Sequence, residues 1–177
     1  MLCGFMGSGK SRIGRLLAGR LGLRFEDLDE SIVDVAGDSI KTIFSTVGEA
    51  KFREMELDLL NSKLQDTHRV LSLGGGTLSS VQIVEKIKAD NVLVFISPPF
   101  DELLIRIQGN KKRPLVLDSN GNPKSIQELD RDLKPLYDER YKLYSKADVV
   151  FNTNPAWDPY RATSELLQLL KQEGYAD

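Results

Sequence analysis

Gly4-Phe5-Met6-Gly7-Ser8-Gly9-Lys10-Ser11 sets a glycine, four free positions and then Gly-Lys-Ser, the spacing of a P-loop. Glycines there let the backbone curl until successive N–H groups point inward at phosphate oxygens, and the helix that follows adds the positive end of its dipole. In such a cradle Lys10 reaches the β- and γ-phosphates of a nucleoside triphosphate, and the Ser11 hydroxyl is suited to ligate the Mg²⁺ bridging them. Ile13, Leu16, Leu17 and Leu21 recur at helical spacing directly downstream, where that helix must lie.

Asp27-Leu28-Asp29 offers two carboxylates that an extended segment would turn to the same side. One could hold Mg²⁺ through its waters while the other takes a proton from an attacking hydroxyl, or the pair could be an acidic turn with a helix N-cap. From Gly48 the pattern reads as a helix with Glu49, Arg53 and Glu56 on one face, so carboxylates can brace Arg53. Gly74-Gly75-Gly76 has no side chains and admits a small polar ligand to its backbone N–H groups. Lys111, Lys112 and Arg113 could close over a triphosphate or form a solvated basic loop.

These groups need positioning elements. Runs at Val70–Leu73, Val92–Ile96 and Asp148–Phe151 alternate with helix-period segments, which predicts an α/β chain with a parallel sheet flanked by helices. Ligands of such sheets bind beyond the C-terminal strand ends, where the P-loop, Asp27 and Asp29, and the three glycines all fall. Only Met1, Leu2 and Cys3 precede Gly4, so the first strand reads as clipped, either shortened or lacking a residue or two upstream. Gly109 to Lys124 has neither period and reads as a mobile loop; Arg161 to Gln172 reads as a closing helix. At 177 residues and 41% hydrophobic content the chain supports one core and one domain. A net charge of −2 supplies no field for nucleic acid or an anionic membrane, and no apolar run is long enough to span a bilayer. With the P-loop so early, no signal peptide is expected, and the expected compartment is the cytoplasm, unless an organelle-targeting segment has been removed. Cys3 reads as core, His68 as surface, and Trp157 as bordering a nucleotide base or, preferably, capping the core.

Taken in order, the P-loop, Phe25-Glu26-Asp27-Leu28-Asp29, Gly48-Glu49-Ala50-Lys51-Phe52-Arg53, Leu73-Gly74-Gly75-Gly76, Arg113-Pro114-Leu115 and Arg140-Tyr141-Lys142-Leu143-Tyr144 resemble shikimate kinase over nearly the whole chain. The resemblance implies a three-layer P-loop kinase fold with a central five-stranded parallel sheet. It also implies a lid at about 109–124 and a substrate-binding helical region at about 29–60. The implied reaction moves the γ-phosphoryl of ATP, with Mg²⁺, to the 3-hydroxyl of shikimate, and a monomer is expected. Lys10, Asp29 and Arg113 would be catalytic. Gly7, Ser8, Gly9, Lys10, Ser11, Arg12, Arg106 and Arg113 would bind the nucleotide, with Arg106 against adenine, and Ser11 and Asp27 would serve the metal. Asp29, Arg53, Gly74, Gly75, Gly76 and Arg140 would bind shikimate. Glu56 would orient Arg53, and Ile40, Phe44 and Phe52 would wall the pocket. Thr77 stands where the family often has alanine, and Lys142 where it commonly has proline. A second register, using Pro135, would put Leu133 in place of Arg140; Ala147-Asp148 favours Arg140.

Two alternatives stand beside this reading: another small-molecule kinase of the same architecture, acting on gluconate or a nucleotide, and a nucleotide-binding regulator without catalysis. Arg53, the triple glycine and Arg140 suit a small hydroxylated carboxylate better than a base or phosphate. Retention of Lys10, Ser11, Asp27, Asp29 and Arg113 speaks against the regulator.

Overall fold

The computed structural model describes residues 1–66, 68–110 and 114–176. Five parallel strands, β1 (Leu2–Cys3), β2 (Arg24–Asp27), β3 (Arg69–Ser72), β4 (Val94–Ser97) and β5 (Val149–Asn152), form one sheet in the order β2-β3-β1-β4-β5. The helices are α1 (Lys10–Leu21), α2 (Leu28–Ala36), α3 (Ile40–Leu64), α4 (Val81–Lys88), α5 (Phe100–Ile107), α6 (Ile126–Tyr144) and α7 (Pro159–Gln172). Strand β1 is only two residues long, yet it is central: Leu2 pairs with Ser72 on one side and Val94 on the other.

Side-chain alternation builds the three layers. Leu2, Val70, Val94 and Ile96 face α1 and α7, joining Ile13, Leu17, Ala162 and Leu166. Their neighbours Cys3, Leu71 and Phe95 face the opposite way, toward Leu28, Leu60, Ile87, Leu129 and Tyr144. Both faces are apolar because a parallel sheet is covered twice, which is why β3 and β4 read as unbroken apolar runs. No helix among the described residues is long and apolar enough to cross a membrane. Burial pushes the Cys3 thiol up to about 12, so it stays protonated as a small core hydrophobe.

Two local features depart from the sequence reading. Asp27 and Asp29 do not share a strand: β2 ends at Asp27, whose side chain caps α2 by accepting the Asp29 N–H at 3.1 Å, so Asp29 already lies in a helix. The capping preference of aspartate wins over strand continuation there. Residues 114–124 also carry structure without periodicity. Pro114–Val116 is a 3₁₀ turn, Leu117 bridges Pro123, and Asp118 accepts the N–H groups of Asn120 and Asn122, each at 2.8 Å. Those N–H groups, that of Asn122 foremost, hold the Asp118 carboxyl below its ordinary value, and Val116 is fully buried. The pattern hid this order because one aspartate side chain, rather than a ladder, organises the turn.

Helix α1 supplies a test of packing against propensity. A Cβ on Gly14 would meet the Phe25 ring at 2.5 Å and Leu2 at 3.0 Å, and that ring is itself held beneath Arg15, 4.5 Å from its centroid. A Cβ on Gly19 would meet nothing within 4 Å. Replacing a helical glycine by alanine gains roughly 0.5–1 kcal/mol, whereas overpacking costs about 1–3 kcal/mol. Gly14→Ala is therefore expected to lower, and Gly19→Ala to raise, the midpoint of urea unfolding with an unchanged slope.

Candidate active site

The first glycines of the chain fold as their spacing requires. Gly7 takes φ 81° with its Cα facing α5, where a Cβ would come within 2.6 Å of Ile107 Cγ2. The Ser8 N–H donates to the Phe5 carbonyl at 3.2 Å, and the Lys10 ammonium curls back to the carbonyls of Gly4 (2.8 Å) and Phe5 (3.2 Å). Helix α1 then starts bare. Among the described helices it alone has neither a side-chain N-cap nor an acidic residue in its first turn. Its first N–H groups and dipole are thus left for an anion. Ser8 Oγ, buried and without a hydrogen-bond partner, adds a donor to the same loop.

The loop separates two clefts. One, of about 310 Å³, is lined by Gly7, Gly9, Arg12, Arg106, Thr153 and Trp157. Arg106 is steadied by Glu102 (Nε to Oε1, 3.0 Å), and Trp157 both stacks on Phe151, centroids 6.2 Å apart, and faces the cleft. It caps the core and borders the cleft at once, so the preference for a purely core role is corrected.

The second cleft, of about 220 Å³, gathers Lys10, Ser11, Asp27, Asp29, Arg53, Gly74, Gly75, Gly76 and Arg140. Ser11 Oγ donates to Asp27 Oδ2 at 2.6 Å. Helix α3 is broken at Gly48 (φ 81°, ψ 168°), which lets a new helical stretch begin and aim Arg53 inward. Ile40 and Phe44 before the break and Phe52 after it wall the cleft. Arg53 donates to Glu56 at 2.6 Å and to Glu49 at 3.3 Å. Burial alone would lower the Arg53 pKa, but these bonds, that to Glu56 foremost, outweigh it and hold the guanidinium above its ordinary value.

The three glycines make room for these charges. A Cβ would lie 2.5 Å from Asp29 Oδ1 at Gly74, 3.4 Å from Arg140 Nη1 at Gly75 and 2.6 Å from Arg53 Nη2 at Gly76. Access of a ligand to backbone N–H groups, the reason inferred from sequence, is joined by a tighter one: the protein's own charged groups pack there. The register of the last motif is also resolved, since Leu133 is buried in the core and Arg140 reaches the cleft. Lys111, Lys112 and Arg113 lie outside the described residues. Three neighbours of the site were not anticipated from spacing: Ser72, Thr77 and Tyr144. Ser72 Oγ is buried without a hydrogen-bond partner, beside Asp27 in the β2–β3 register. A polar residue ending the apolar run of β3 is the signal that could have found it.

A family model described as shikimate kinase matches residues 6–171. The chain belongs to the shikimate kinase family. The shikimate kinase of Persephonella marina is 34% identical over 94% of this chain and 94% of its own length. That of Chlorobaculum parvum is 40% identical over 86% of this chain and 82% of its own length. Among solved structures, the shikimate kinase of Acinetobacter baumannii in complex with shikimate has a TM-score of 0.81 at 32% identity, covering 97% of this chain and 92% of that one.

Shikimate kinases are ATP-dependent phosphotransferases that use Mg²⁺. The residues present fit both. The bare start of α1, the Gly7 turn and the orphaned Ser8 hydroxyl suit phosphate oxygens, while the Ser11–Asp27 pair offers oxygen donors to a hard cation. Beneath the shikimate kinase cleft, the buried Tyr144 hydroxyl donates to the Gly75 carbonyl at 2.5 Å. Burial pushes that phenol above its ordinary value, with Arg140 opposing, so it remains a donor. Tyr144→Phe removes this bond to the part-buried Gly75 carbonyl and is expected to cost about 0.5–1.5 kcal/mol in denaturant unfolding.

Proposed function

We propose that this chain transfers the γ-phosphoryl of ATP to the 3-hydroxyl of shikimate, giving shikimate 3-phosphate and ADP. The observation that carries the reading is a single small cleft in which two guanidinium groups and one carboxylate, Arg53, Arg140 and Asp29, face the phosphate-loop residues Lys10 and Ser11. Forked guanidinium donors suit a planar carboxylate, and Asp29 suits ring hydroxyls. In the reaction the acceptor oxygen bonds to the γ-phosphorus as the bond from that phosphorus to the bridging oxygen of ADP breaks, and the hydroxyl proton leaves to Asp29. Ser11 and Asp27 would hold Mg²⁺, which would supply positive charge to offset that of the phosphates. Lys10 would exchange its loop carbonyls for the transferring phosphate, and Gly7, Ser8, Gly9, Arg12, Arg106 and Arg113 would serve the nucleotide. The chemistry asks mainly for alignment and charge stabilisation, so no covalent intermediate on the protein is required.

Closure of the segment 109–124 over the first cleft belongs to the same proposal, supported by its attachment to α5, which carries Arg106. We also infer a single domain, because both clefts are built on one five-stranded sheet, and that it acts as a monomer. The cytoplasm, where ATP is supplied, is the matching compartment.

The deciding experiment follows ADP release in a coupled assay with ATP and Mg²⁺, comparing shikimate, gluconate, a nucleoside monophosphate and no acceptor. Stimulation by shikimate alone is expected; ATP binding without that stimulation would sink the substrate assignment. In the same assay Asp29→Asn is expected to lower kcat by at least ~100-fold, through lost charge and orientation. Arg53→Ala is expected to weaken shikimate binding by about 2–4 kcal/mol in titration calorimetry while leaving ATP binding nearly unchanged. An equal loss for both ligands would point to a folding defect.

A further inference from the structure

We propose that Thr77 is a positioning residue for the acceptor, acting through Glu56 on Arg53; this rests on the functional reading above. Glu56 is a carboxylate with a side chain only 3% exposed. A charge so placed is tolerable only if its oxygens are paired, and here the pairing is divided. Oε2 receives Arg53 Nη1 at 2.6 Å, and Oε1 receives the Thr77 hydroxyl at 2.6 Å. Because Thr77 occupies one oxygen, Glu56 draws on a single guanidinium nitrogen. A second nitrogen, Nη2, lies over Gly76 with a longer 3.3 Å contact to the exposed Glu49. That more loosely held nitrogen is left to turn to a carboxylate in the cleft.

The placement of Thr77 makes this more than a local bond. Its backbone N–H donates to the Gly74 carbonyl at 3.2 Å, closing the turn that carries all three glycines. Its hydroxyl and Glu56 Oε1 both stand 3.0 Å from where a Gly74 Cβ would be, next to Asp29 Oδ1. One residue therefore fixes the glycine turn by its backbone and the carboxylate beneath Arg53 by its side chain. Thr77 is 2% exposed and is not among the residues lining the cleft, so it acts through Glu56 rather than on the ligand.

Removing the hydroxyl while keeping the shape leaves Oε1 unpaired in a buried site. The other side chain bonded to Glu56 is that same guanidinium, so Glu56 would turn to grip Arg53 with both oxygens, in the bidentate geometry that such pairs favour. Arg53 would then be drawn off the cleft. The expected consequence is selective: a weaker hold on the acceptor, with the nucleotide side untouched.

The test compares Thr77→Val, which keeps the volume and loses the hydroxyl, with Thr77→Ser, which keeps the hydroxyl. Thr77→Val is expected to raise KM for shikimate about 10-fold, the scale of one unpaired buried polar group, with KM for ATP and kcat changed by less than about twofold. Thr77→Ser is expected to restore the parent value. A second measurement needs no substrate: the Arg53 Nε–Hε resonance in ¹⁵N-edited NMR spectra, assigned by its loss in Arg53→Lys, should shift or broaden in Thr77→Val and not in Thr77→Ser. An unmoved resonance with an unchanged KM for shikimate overturns the proposal. So does a parallel rise in both KM values with a lowered melting temperature that Thr77→Ser fails to correct, which would mark Thr77 as purely structural. Should the parent chain fail to use shikimate at all, the functional reading falls separately, and the Arg53 resonance alone decides whether Thr77 positions that side chain.

Discussion

Three consecutive residues without side chains follow β3, and the space each vacates belongs to a different charged group. Asp29 fills it at Gly74, Arg140 at Gly75 and Arg53 at Gly76. These side chains arrive from α2, α6 and α3, elements far apart in sequence, and they meet because the turn between them has no bulk of its own. A single methyl at Gly74 or Gly76 would force the end of the Asp29 or Arg53 side chain to move. This cleft is thus organised around an absence of atoms, with the sheet fixing where that absence falls.

Electrostatic order in the cleft depends on what lies beneath it. Arg53 is oriented by Glu56, Glu56 is shared with Thr77, and the Gly75 carbonyl is held by Tyr144. Each of these supports is buried or nearly so, which strengthens the bonds and makes any unpaired member costly. The nucleotide side is built oppositely, from backbone and open space: the Gly7 turn, an uncapped helix and a hydroxyl with no protein partner. The P-loop lies between the two and contributes to both clefts.

Much of this was legible in the sequence because it rests on local rules. The P-loop spacing located α1, apolar runs located β3, β4 and β5, and the i, i+3 and i+4 spacing of Glu49, Arg53 and Glu56 gave the braced arginine. Of the two readings open for Asp27 and Asp29, the helix cap is the one seen, because a cap decides where β2 ends and cap choice depends on the helix that follows. Segment 114–124 looked patternless because a lone aspartate, Asp118, gathers its N–H groups. The contacts of Thr77 and Tyr144 were not legible for another reason. Their partners lie 21 and 69 residues away, so only the folded chain brings a threonine to a glutamate or a tyrosine to a glycine carbonyl.

The bare start of α1 has a meaning beyond phosphate recognition. Helices α2, α3, α4, α6 and α7 each carry their own capping side chain, so their first turns are complete within the chain. Helix α1 is unfinished within the chain, and an anion held in the loop would serve as its cap. Since α1 packs between the central strands and α7, such a cap would bear on one whole face of the sheet. A bound nucleotide would in this sense be a structural component supplied from solution, stabilising the fold it enters.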